Sequence, residues 1–255
     1  MTFDPSLCYH CFQGRPPEPG PCPHCGFDPA AWQGKYPLAH PMGSILAGRY
    51  LVGRVLGQGG FGITYAAKDL VTGERVAIKE YMPEGIALRA PGVTQVTALS
   101  HQQEESYRYG MTKFLEEART LAAFQNDPHI VAVKSYFEEN GTAYFAMEYL
   151  DGGSLKDYLQ QKGGRIDCEQ AMHIMEPILR ALEAVHKVNI VHRDVSPDNI
   201  YLCSDGAVKL IDFGAARGVM GERSRSMSVI LKQGYAPIEQ YLRRGKIGPW
   251  TDIYA

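Results

Sequence analysis

The stretch that decides the fold is HRDVSPDN, residues 192–199. Asp194 and Asn199 stand five positions apart in a short loop between the apolar segments NIV and IYL. A carboxylate can accept a proton from a hydroxyl, and an amide oxygen can bind a hard cation. Ser196 lies between them, where a cation facing a phosphate is expected. The stretch therefore indicates a proton acceptor and a metal ligand, and it raises the question whether the loop is active or a remnant.

Upstream, residues 50–81 alternate apolar and polar positions around a glycine cluster, which predicts an antiparallel β-meander. Gly57, Gly59 and Gly62 form GxGxxG, a weak signal alone because dinucleotide-binding folds share it. The following ITYAAKDL is typical of a strand rather than a helix. The glycines therefore cap a hairpin whose backbone can approach phosphates. Lys79, on the next strand VAIKEY, is then interpreted as a phosphate ligand.

A helix is predicted from Ser100, which forms a capping box with Gln103. Of Glu116 and Glu117, only one can face the strand that carries Lys79. Residues 81–99 give no clear assignment, and two further strands are predicted within 129–150, before the Gly-Gly break at 152–153. The helix is predicted to bury one stripe of apolar side chains: Phe114, Leu115, Ala118, Leu121 and Ala122.

The second half begins with a helical apolar stripe over 171–185, interrupted by Pro177. NIVHRDVSPDNIYL then predicts strand, loop and strand, and AVKLIDFGAAR brings Asp212. The order of glycine-rich loop, strand Lys, helix Glu, HRDxxxxN and DFG makes chance a poor explanation.

These motifs resemble those of the eukaryotic-like (Hanks-type) serine/threonine protein kinases, over about residues 45–255. The pieces IKEYMPEG, HRDVSPDN and KQGYAP resemble a bacterial subgroup with an N-terminal zinc ribbon. The resemblance implies an α+β, bilobal protein-kinase fold preceded by a small zinc ribbon. The expected parts are a ribbon module (1–30), a linker (31–45), a β-rich N-lobe (46–150) and an incomplete helical C-lobe (151–255).

The resemblance also implies ATP and Mg²⁺ as cofactors and assigns roles. Asp194 accepts the proton of the substrate hydroxyl, and Asn199 and Asp212 hold Mg²⁺. Lys79 holds the α- and β-phosphates and pairs with Glu117. The remaining nucleotide-binding positions are Gly57, Gly59, Gly60, Gly62, Thr64, Ala77, Met147, Glu148, Leu150 and Tyr201. Met147 is the gatekeeper, and the backbones of Glu148 and Leu150 bind adenine.

Two positions depart from the family pattern. Ser196 replaces a Lys that contacts the transferring phosphate, and Lys232 stands where a Thr usually contacts that Lys. We hypothesise that hydroxyl and ammonium have exchanged places, against the alternative of a solvent-facing Lys232. The loss of one charge-assisted hydrogen bond would slow the reaction by about 10- to 150-fold without abolishing it.

Regulation is indicated by Arg193, which can pair with a phosphate on the activation segment before Glu239. The candidates for self-phosphorylation in GERSRSMSVIL are Ser224, Ser226 and Ser228. The alternative is that this segment is only a polar, mobile loop.

The head of the chain carries CYHC and CPHCG, two CxxC pairs that predict a closed tetrahedral S₄ site for structural Zn²⁺. The alternatives are another metal or redox-active thiols. The ligands of the S₄ site are Cys8, Cys11, Cys22 and Cys25. His10 and His24 are expected to face solvent rather than the metal. Residues 1–40 carry two basic and three acidic side chains, which is not a nucleic-acid footprint. The ribbon is expected to bind a protein partner or to be purely structural.

The formal charge of −2 over 255 residues gives no reason to expect nucleic-acid or membrane-surface binding. The sequence contains no apolar run of about 18 residues and no signal-peptide pattern. Paired CxxC motifs and two lone cysteines favour a reducing cytoplasm.

The end of the chain, GPWTDIYA, resembles the start of the long central helix of the kinase large lobe. Asp252 is expected to brace the HRD backbone. The chain is expected to be a fragment of low stability that lacks the Arg with which Glu239 usually pairs in the family. The function expected is a protein serine/threonine kinase acting on protein substrates. The alternatives are a pseudokinase scaffold and, disfavoured by the activation segment, a small-molecule phosphotransferase.

Overall fold

The computed structural model describes residues 4–32, 34–90, 92–213, 234–242 and 245–255. Two compact units divide the chain. The first contains Met1–Leu115 with Val133–Tyr149, and the second contains Glu116–Ala132 with Leu150–Ala255. The residues of the expected ribbon and linker fall in the first unit.

The first unit is built on a six-stranded antiparallel sheet in the order β1-β2-β3-β4-β8-β7. The predicted β-meander is confirmed by β2, β3 and β4. The strands are β1 (Ile45–Leu46), β2 (Tyr50–Gly59), β3 (Gly62–Asp69), β4 (Arg75–Tyr81), β7 (Val133–Glu139) and β8 (Thr142–Glu148).

The segment that the sequence left unassigned contains a two-stranded hairpin, β5 (Ala87–Arg89) and β6 (Val96–Ala98). The predicted helix follows as α1 (His101–Ala122). Its start differs from the prediction, because the Ser100 hydroxyl bonds the Gln103 side-chain oxygen at 3.3 Å. The Gln103 amide donates to the Gly85 carbonyl at 2.8 Å instead of closing a capping box.

The second unit contains a small antiparallel sheet in the order β11-β10-β9 and several helices, of which Cys168–His186 is the longest among the described residues of the unit. Its elements are β9 (Gly152–Ser154), α2 (Leu155–Gln161), α3 (Cys168–His186), β10 (Ile200–Cys203), β11 (Val208–Leu210), α4 (Ile238–Tyr241) and α5 (Pro249–Tyr254).

Two predictions about the second unit are wrong. The Gly-Gly pair is strand β9, with Gly152 opposite Cys203, rather than a break. Residues 189–191 form no strand, because the backbone there has other partners: Ile190 N–H donates to the Val185 carbonyl at 3.1 Å. The predicted helical stripe is confirmed in α3, where Ile174, Ile178 and Leu182 are buried. Asp167 caps this helix through the Gln170 N–H at 2.8 Å.

A buried ion pair lies on one face of the six-stranded sheet. Glu80 and Arg89 form a salt bridge with side chains only 0% and 2% exposed. The hydroxyls of Tyr65 and Tyr144 donate to the Glu80 carboxylate at 2.7 and 2.8 Å. His40, from the segment expected to be a linker, lies 3.3 Å from the same carboxylate.

The Glu80 carboxylate is therefore surrounded by polar groups from four other segments of the first unit. Burial opposes its ionisation, but the hydrogen bonds from His40 and Arg89 lower the pKa of Glu80 to about 2. Burial and the neighbouring Glu80 charge raise the pKa of the Tyr65 hydroxyl, which stays a hydrogen-bond donor. Arg89 also donates to the Leu38 carbonyl at 2.6 Å, which ties the N-terminal segment to the β5–β6 hairpin.

Candidate active site

The glycine-rich hairpin is the first part of the site. A Cβ at Gly62 would overlap the carbonyl of Glu80, so the close approach of β4 requires glycine there. At Gly57 and Gly59, a Cβ would meet no atom of the described residues within 4 Å beyond its chain neighbours. These two glycines therefore leave open space above the backbone, which suits a phosphate ligand.

Four of the predicted nucleotide-binding side chains share one face of the sheet. Thr64 lies directly opposite Lys79 across β3 and β4, and Ala77 lies opposite Met147 across β4 and β8. Directly paired residues share a face, as do residues two apart on one strand. The Lys79 ammonium lies over the Phe145 ring at 5.6 Å, on the side of the sheet away from Glu80.

Helix α1 carries Glu117, which is only 2% exposed, whereas Glu116 is partly exposed. The buried member of the pair is the one that the sequence assigned to Lys79. Lys79 and Glu117 belong to different units, and their pairing stays a prediction.

In the second unit, Asp252 holds the start of residues 192–199, the predicted catalytic loop. Its carboxylate accepts hydrogen bonds from the backbone N–H groups of His192 at 2.8 Å and Arg193 at 2.7 Å. The His186 ring nitrogen lies 2.7 Å from the same carboxylate. The predicted bracing of the HRD backbone by Asp252 is confirmed.

The loop also contains left-handed backbone. Arg193 in the loop has φ 66°, and Asp212 in the DFG segment has φ 64°. Such values cost a non-glycine residue free energy and persist only where neighbouring groups enforce them. The backbone conformation of Arg193 is held at both of its polar groups. Its N–H donates to Asp252, and its carbonyl accepts a hydrogen bond from the Gln240 side chain at 2.8 Å. Its backbone is thus fixed by groups outside the loop.

The loop brings Asp194 and Asn199 into contact. The Asn199 amide donates to the Asp194 carbonyl at 2.7 Å and to its carboxylate at 2.5 Å. Both residues are buried, at 8% and 4% exposure. Since the amide nitrogen binds Asp194, the amide oxygen of Asn199 is the atom that suits a cation.

The DFG segment is attached to the same loop. The His192 ring nitrogen lies 3.1 Å from the Ile211 carbonyl, and its ring lies 4.4 Å from the Phe213 ring between centroids. Ile211 N–H donates to the Asn199 carbonyl at 2.9 Å. Asp212 therefore follows directly from backbone that the catalytic loop holds.

Comparison with known families matches residues 50–255 to the protein kinase domain. The chain belongs to the protein kinase domain family. The predicted kinase fold and family are confirmed.

Bacterial proteins are among the relatives of this kinase domain. The serine/threonine-protein kinase PrkC of Bacillus subtilis is 28% identical over 84% of this chain and 30% of its own length. The probable serine/threonine-protein kinase SCO3848 of Streptomyces coelicolor is 36% identical over 72% of this chain and 24% of its own. A solved structure described as the apo form of PpkA-294 has a TM-score of 0.77 and 36% identity, over 86% of this chain and 75% of that one. The chain thus spans less than a third of these two curated relatives.

Of the two positions that depart from the family pattern, only Ser196 lies among the described residues. Ser196 is buried in the catalytic loop of the kinase domain, at 2% exposure. Lys232, Ser224, Ser226 and Ser228 lie outside the described residues. Tyr201 donates to the Leu150 carbonyl at 3.4 Å, so two predicted adenine-binding positions are in contact within the second unit.

Some residues of the kinase domain's site were missed by the sequence interpretation. Gln240 holds the Arg193 carbonyl, and the Thr251 hydroxyl donates to Glu239 at 2.9 Å. His186 joins Asp252 from the end of α3. The only signal for these residues is their nearness in sequence to the motifs HRD, KQGYAP and GPWTD.

The four predicted zinc ligands lie together in the first unit, with all sulfur atoms within 4.8 Å of one another. The Cys8–Cys25 and Cys11–Cys22 sulfur separations are 3.6 and 3.8 Å. Neither His10 nor His24 belongs to this group. His24 is exposed as expected, whereas His10 is not simply solvent-facing, because the Arg54 guanidinium lies 2.8 Å from its ring nitrogen.

The surface near the chain end carries exposed apolar side chains, including Trp250, Ile253 and Tyr254, at 58–68% exposure. Among the described residues, no helix combines the length and apolar character needed to cross a membrane.

Proposed function

We propose that this protein is an ATP-dependent protein kinase that phosphorylates Ser or Thr hydroxyls of protein substrates. The observation that carries the proposal is the catalytic loop. Asp194 is buried, bonded to Asn199 and fixed through a backbone that Asp252 holds. Phosphoryl transfer depends on positioning and on charge compensation more than on a strong base, and this loop supplies positioning.

In the proposed reaction, the substrate hydroxyl oxygen attacks the γ-phosphorus of ATP. The bond from that phosphorus to the bridging oxygen breaks, and ADP leaves. Asp194 accepts the hydroxyl proton. Lys79 binds the α- and β-phosphates beside the open backbone of Gly57 and Gly59.

Asn199 and Asp212 fit a magnesium site, because an amide oxygen and a carboxylate are the ligands that Mg²⁺ prefers. When bound, Mg²⁺ neutralises charge on the phosphates. The residues of this chain hold its ligands in place: Asn199 through Asp194, and Asp212 through the Ile211–Asn199 backbone bond.

The four cysteines fit structural Zn²⁺. Tetrahedral thiolates at about 2.3 Å from zinc are about 3.8 Å apart, close to the observed separations. Burial opposes ionisation of Cys22, but the backbone N–H groups of His24 and Cys25 lower the pKa of its thiol to about 6. We propose zinc at this site and a cytoplasmic protein with reduced cysteines.

The decisive experiment compares Mg²⁺-ATP turnover on a protein substrate by the longest natural form of the protein and its Asp194→Asn variant. Loss of the proton acceptor should lower kcat by about 10²–10⁴-fold. Asp198→Asn is the matched control, since Asp198 lies on the same loop in an exposed pair with Lys156. A wild-type protein that transfers no phosphate, or an equally active Asp194→Asn variant, refutes the proposal.

The alternative function is a nucleotide-binding scaffold, favoured by Ser196 at the position of the usual Lys. It predicts ATP binding by calorimetry without transfer. The exchange hypothesis predicts instead that Ser196→Lys with Lys232→Thr is more active than either single variant. Phosphopeptide mass spectrometry after ATP incubation tests the proposed self-phosphorylation at Ser224, Ser226 or Ser228.

A further inference from the structure

The first cysteine knuckle is docked on strand β2. Arg54 N–H donates to the Tyr9 carbonyl at 2.7 Å, and the Arg54 guanidinium lies 2.8 Å from the His10 ring nitrogen. A Cβ at Gly53 would overlap the Tyr9 carbonyl, so the close approach of knuckle and strand requires glycine. Tyr9 and His10, the two residues between Cys8 and Cys11, thus contact the sheet.

A row of aromatic rings continues from this contact. The Arg54 guanidinium lies over the rings of Trp32 at 5.0 Å and Phe27 at 5.8 Å. Arg54 therefore joins the metal-binding segment to the sheet by one backbone bond, one side-chain bond and two cation–π contacts. The row consists of Tyr36, Trp32, Phe27, His10 and Tyr149, with successive ring centroids 5.4, 5.9, 6.1 and 6.4 Å apart.

The last ring of the row, Tyr149, is held from two directions. His10 meets it edge to face, and the Arg75 guanidinium lies over it at 4.4 Å. In the chain, Tyr149 stands between Glu148 and Leu150, the two residues proposed to bind adenine through their backbones. A ring fixed on both sides limits the backbone conformations of the residue that carries it.

We propose that the cysteine knuckle, acting through His10 and Arg54, positions Tyr149 and so preorganises the backbone segment that binds the adenine of ATP. His10, Arg54 and Tyr149 are positioning residues that do not touch the reacting atoms. The inference rests on the proposed kinase function, because it concerns the affinity for ATP.

Preorganisation predicts an effect on nucleotide binding that is separate from catalysis. Arg54→Ala removes the side-chain contacts but keeps the backbone bond to Tyr9, so the ribbon stays docked. Loss of one net hydrogen bond corresponds to about a 2- to 13-fold change in binding. The KM for ATP and the dissociation constant of a fluorescent ATP analogue should rise by about this factor in Arg54→Ala and in His10→Ala, while kcat changes less than about 2-fold.

Conservative variants sharpen the test. Arg54→Lys keeps a cation and a donor, and Tyr149→Phe keeps the ring, so both should bind ATP nearly as the wild type does. Tyr149→Ala should raise the KM. Arg180→Ala is the matched control, since it removes an arginine from an exposed i,i+4 pair on α3, with side chains 67% and 64% exposed.

The outcomes separate this inference from the proposals beneath it. A wild-type protein that binds no ATP refutes the kinase function itself. A wild-type enzyme with active turnover, but with an unchanged KM for ATP in His10→Ala and Tyr149→Ala, refutes the positioning role. A fall in melting temperature and kcat at constant KM also refutes it, because it indicates a merely structural ribbon. If Arg54→Ala does not fold, the His10→Ala variant decides, since it leaves all four cysteines and the Tyr9 contact in place. The zinc content of His10→Ala, measured with a chromogenic chelator, should equal that of the wild type.

Discussion

Glu80 and Asp252 are two fully buried carboxylates that are satisfied in different ways. Glu80, on the sheet of the first unit, is bound by side chains and pairs with the cation of Arg89. Asp252, in the second unit, is bound by the backbone N–H groups of His192 and Arg193. Glu80 joins segments of the first unit, whereas Asp252 fixes the conformation of the loop that carries the proposed proton acceptor Asp194.

This difference predicts that Glu80 matters mainly for folding and Asp252 mainly for catalysis. Removing a partner of Glu80 leaves an uncompensated charge in the core, which is a penalty on folding. Removing the charge of Asp252 releases backbone that positions Asp194, which is a penalty on catalysis first. The predictions below test this division.

The largest expected effect is on folding. Arg89→Ala should destabilise the protein by about 3–5 kcal/mol, because it leaves the Glu80 carboxylate buried without its cation. Chemical unfolding followed by circular dichroism measures it. The double variant Glu80→Met with Arg89→Leu should be more stable than Arg89→Ala; a double variant that is equally unstable would show that packing, and not the unpaired charge, dominates.

Acid should reproduce part of this effect. The pKa of Glu80 is lowered from 4.5 to about 2 in the fold, so its stabilisation is complete above pH 4.5 and is lost as the pH falls through about 2. A difference of about 2.5 pH units corresponds to about 3 kcal/mol. The stability gap between wild type and Glu80→Gln should therefore narrow between pH 5 and pH 2.5. A gap that stays constant over this range contradicts the assigned charge of Glu80.

The Asp252→Asn variant should lose activity more than stability. An amide can accept one of the two backbone bonds but turns its own N–H₂ toward the other donor. A lost charge-assisted hydrogen bond is worth about 1.5–3 kcal/mol, so kcat should fall by about 10- to 150-fold with little change in the KM for ATP. Steady-state kinetics at varied ATP measure both, and an unchanged kcat would remove Asp252 from the account of catalysis.

The smallest effect is expected at Lys156, which pairs with Asp198 of the same loop at the surface, 52% and 38% exposed. Exposed pairs contribute about 0–1 kcal/mol. Lys156→Ala should change the unfolding free energy by less than about 1 kcal/mol and kcat by less than about 3-fold. A larger loss of activity would mean that loop position depends on surface charge as well as on Asp252.

The catalytic half of this comparison was largely predictable from sequence. Asp194, Asn199 and Asp252 occur in motifs whose order along the chain identifies the fold, and their contacts follow from that fold. The glycine-rich hairpin was predictable because a strand, rather than a helix, follows GxGxxG.

The Glu80 cluster was not predictable in the same way. Its members, His40, Tyr65, Glu80, Arg89 and Tyr144, come from separate segments, with up to 104 residues between two partners. Arg89 lies in a mixed segment without periodicity, and His40 lies in a Pro-containing stretch that is typical of a linker. Local patterns carry no information on such long-range partners, since a charged residue on a strand is usually exposed.

One measurement tests the division between the two carboxylates most directly. Single-turnover phosphoryl transfer at saturating Mg²⁺ and ATP is compared in wild type, Glu80→Gln and Asp252→Asn, with the folded fraction determined on the same samples. The expected result is that folded Glu80→Gln transfers phosphate at the wild-type rate, whereas Asp252→Asn is fully folded and at least about 10-fold slower. Equal rates per folded molecule in the two variants, or no transfer by the wild type, would contradict the claim that the Asp252-held loop is built for phosphoryl transfer.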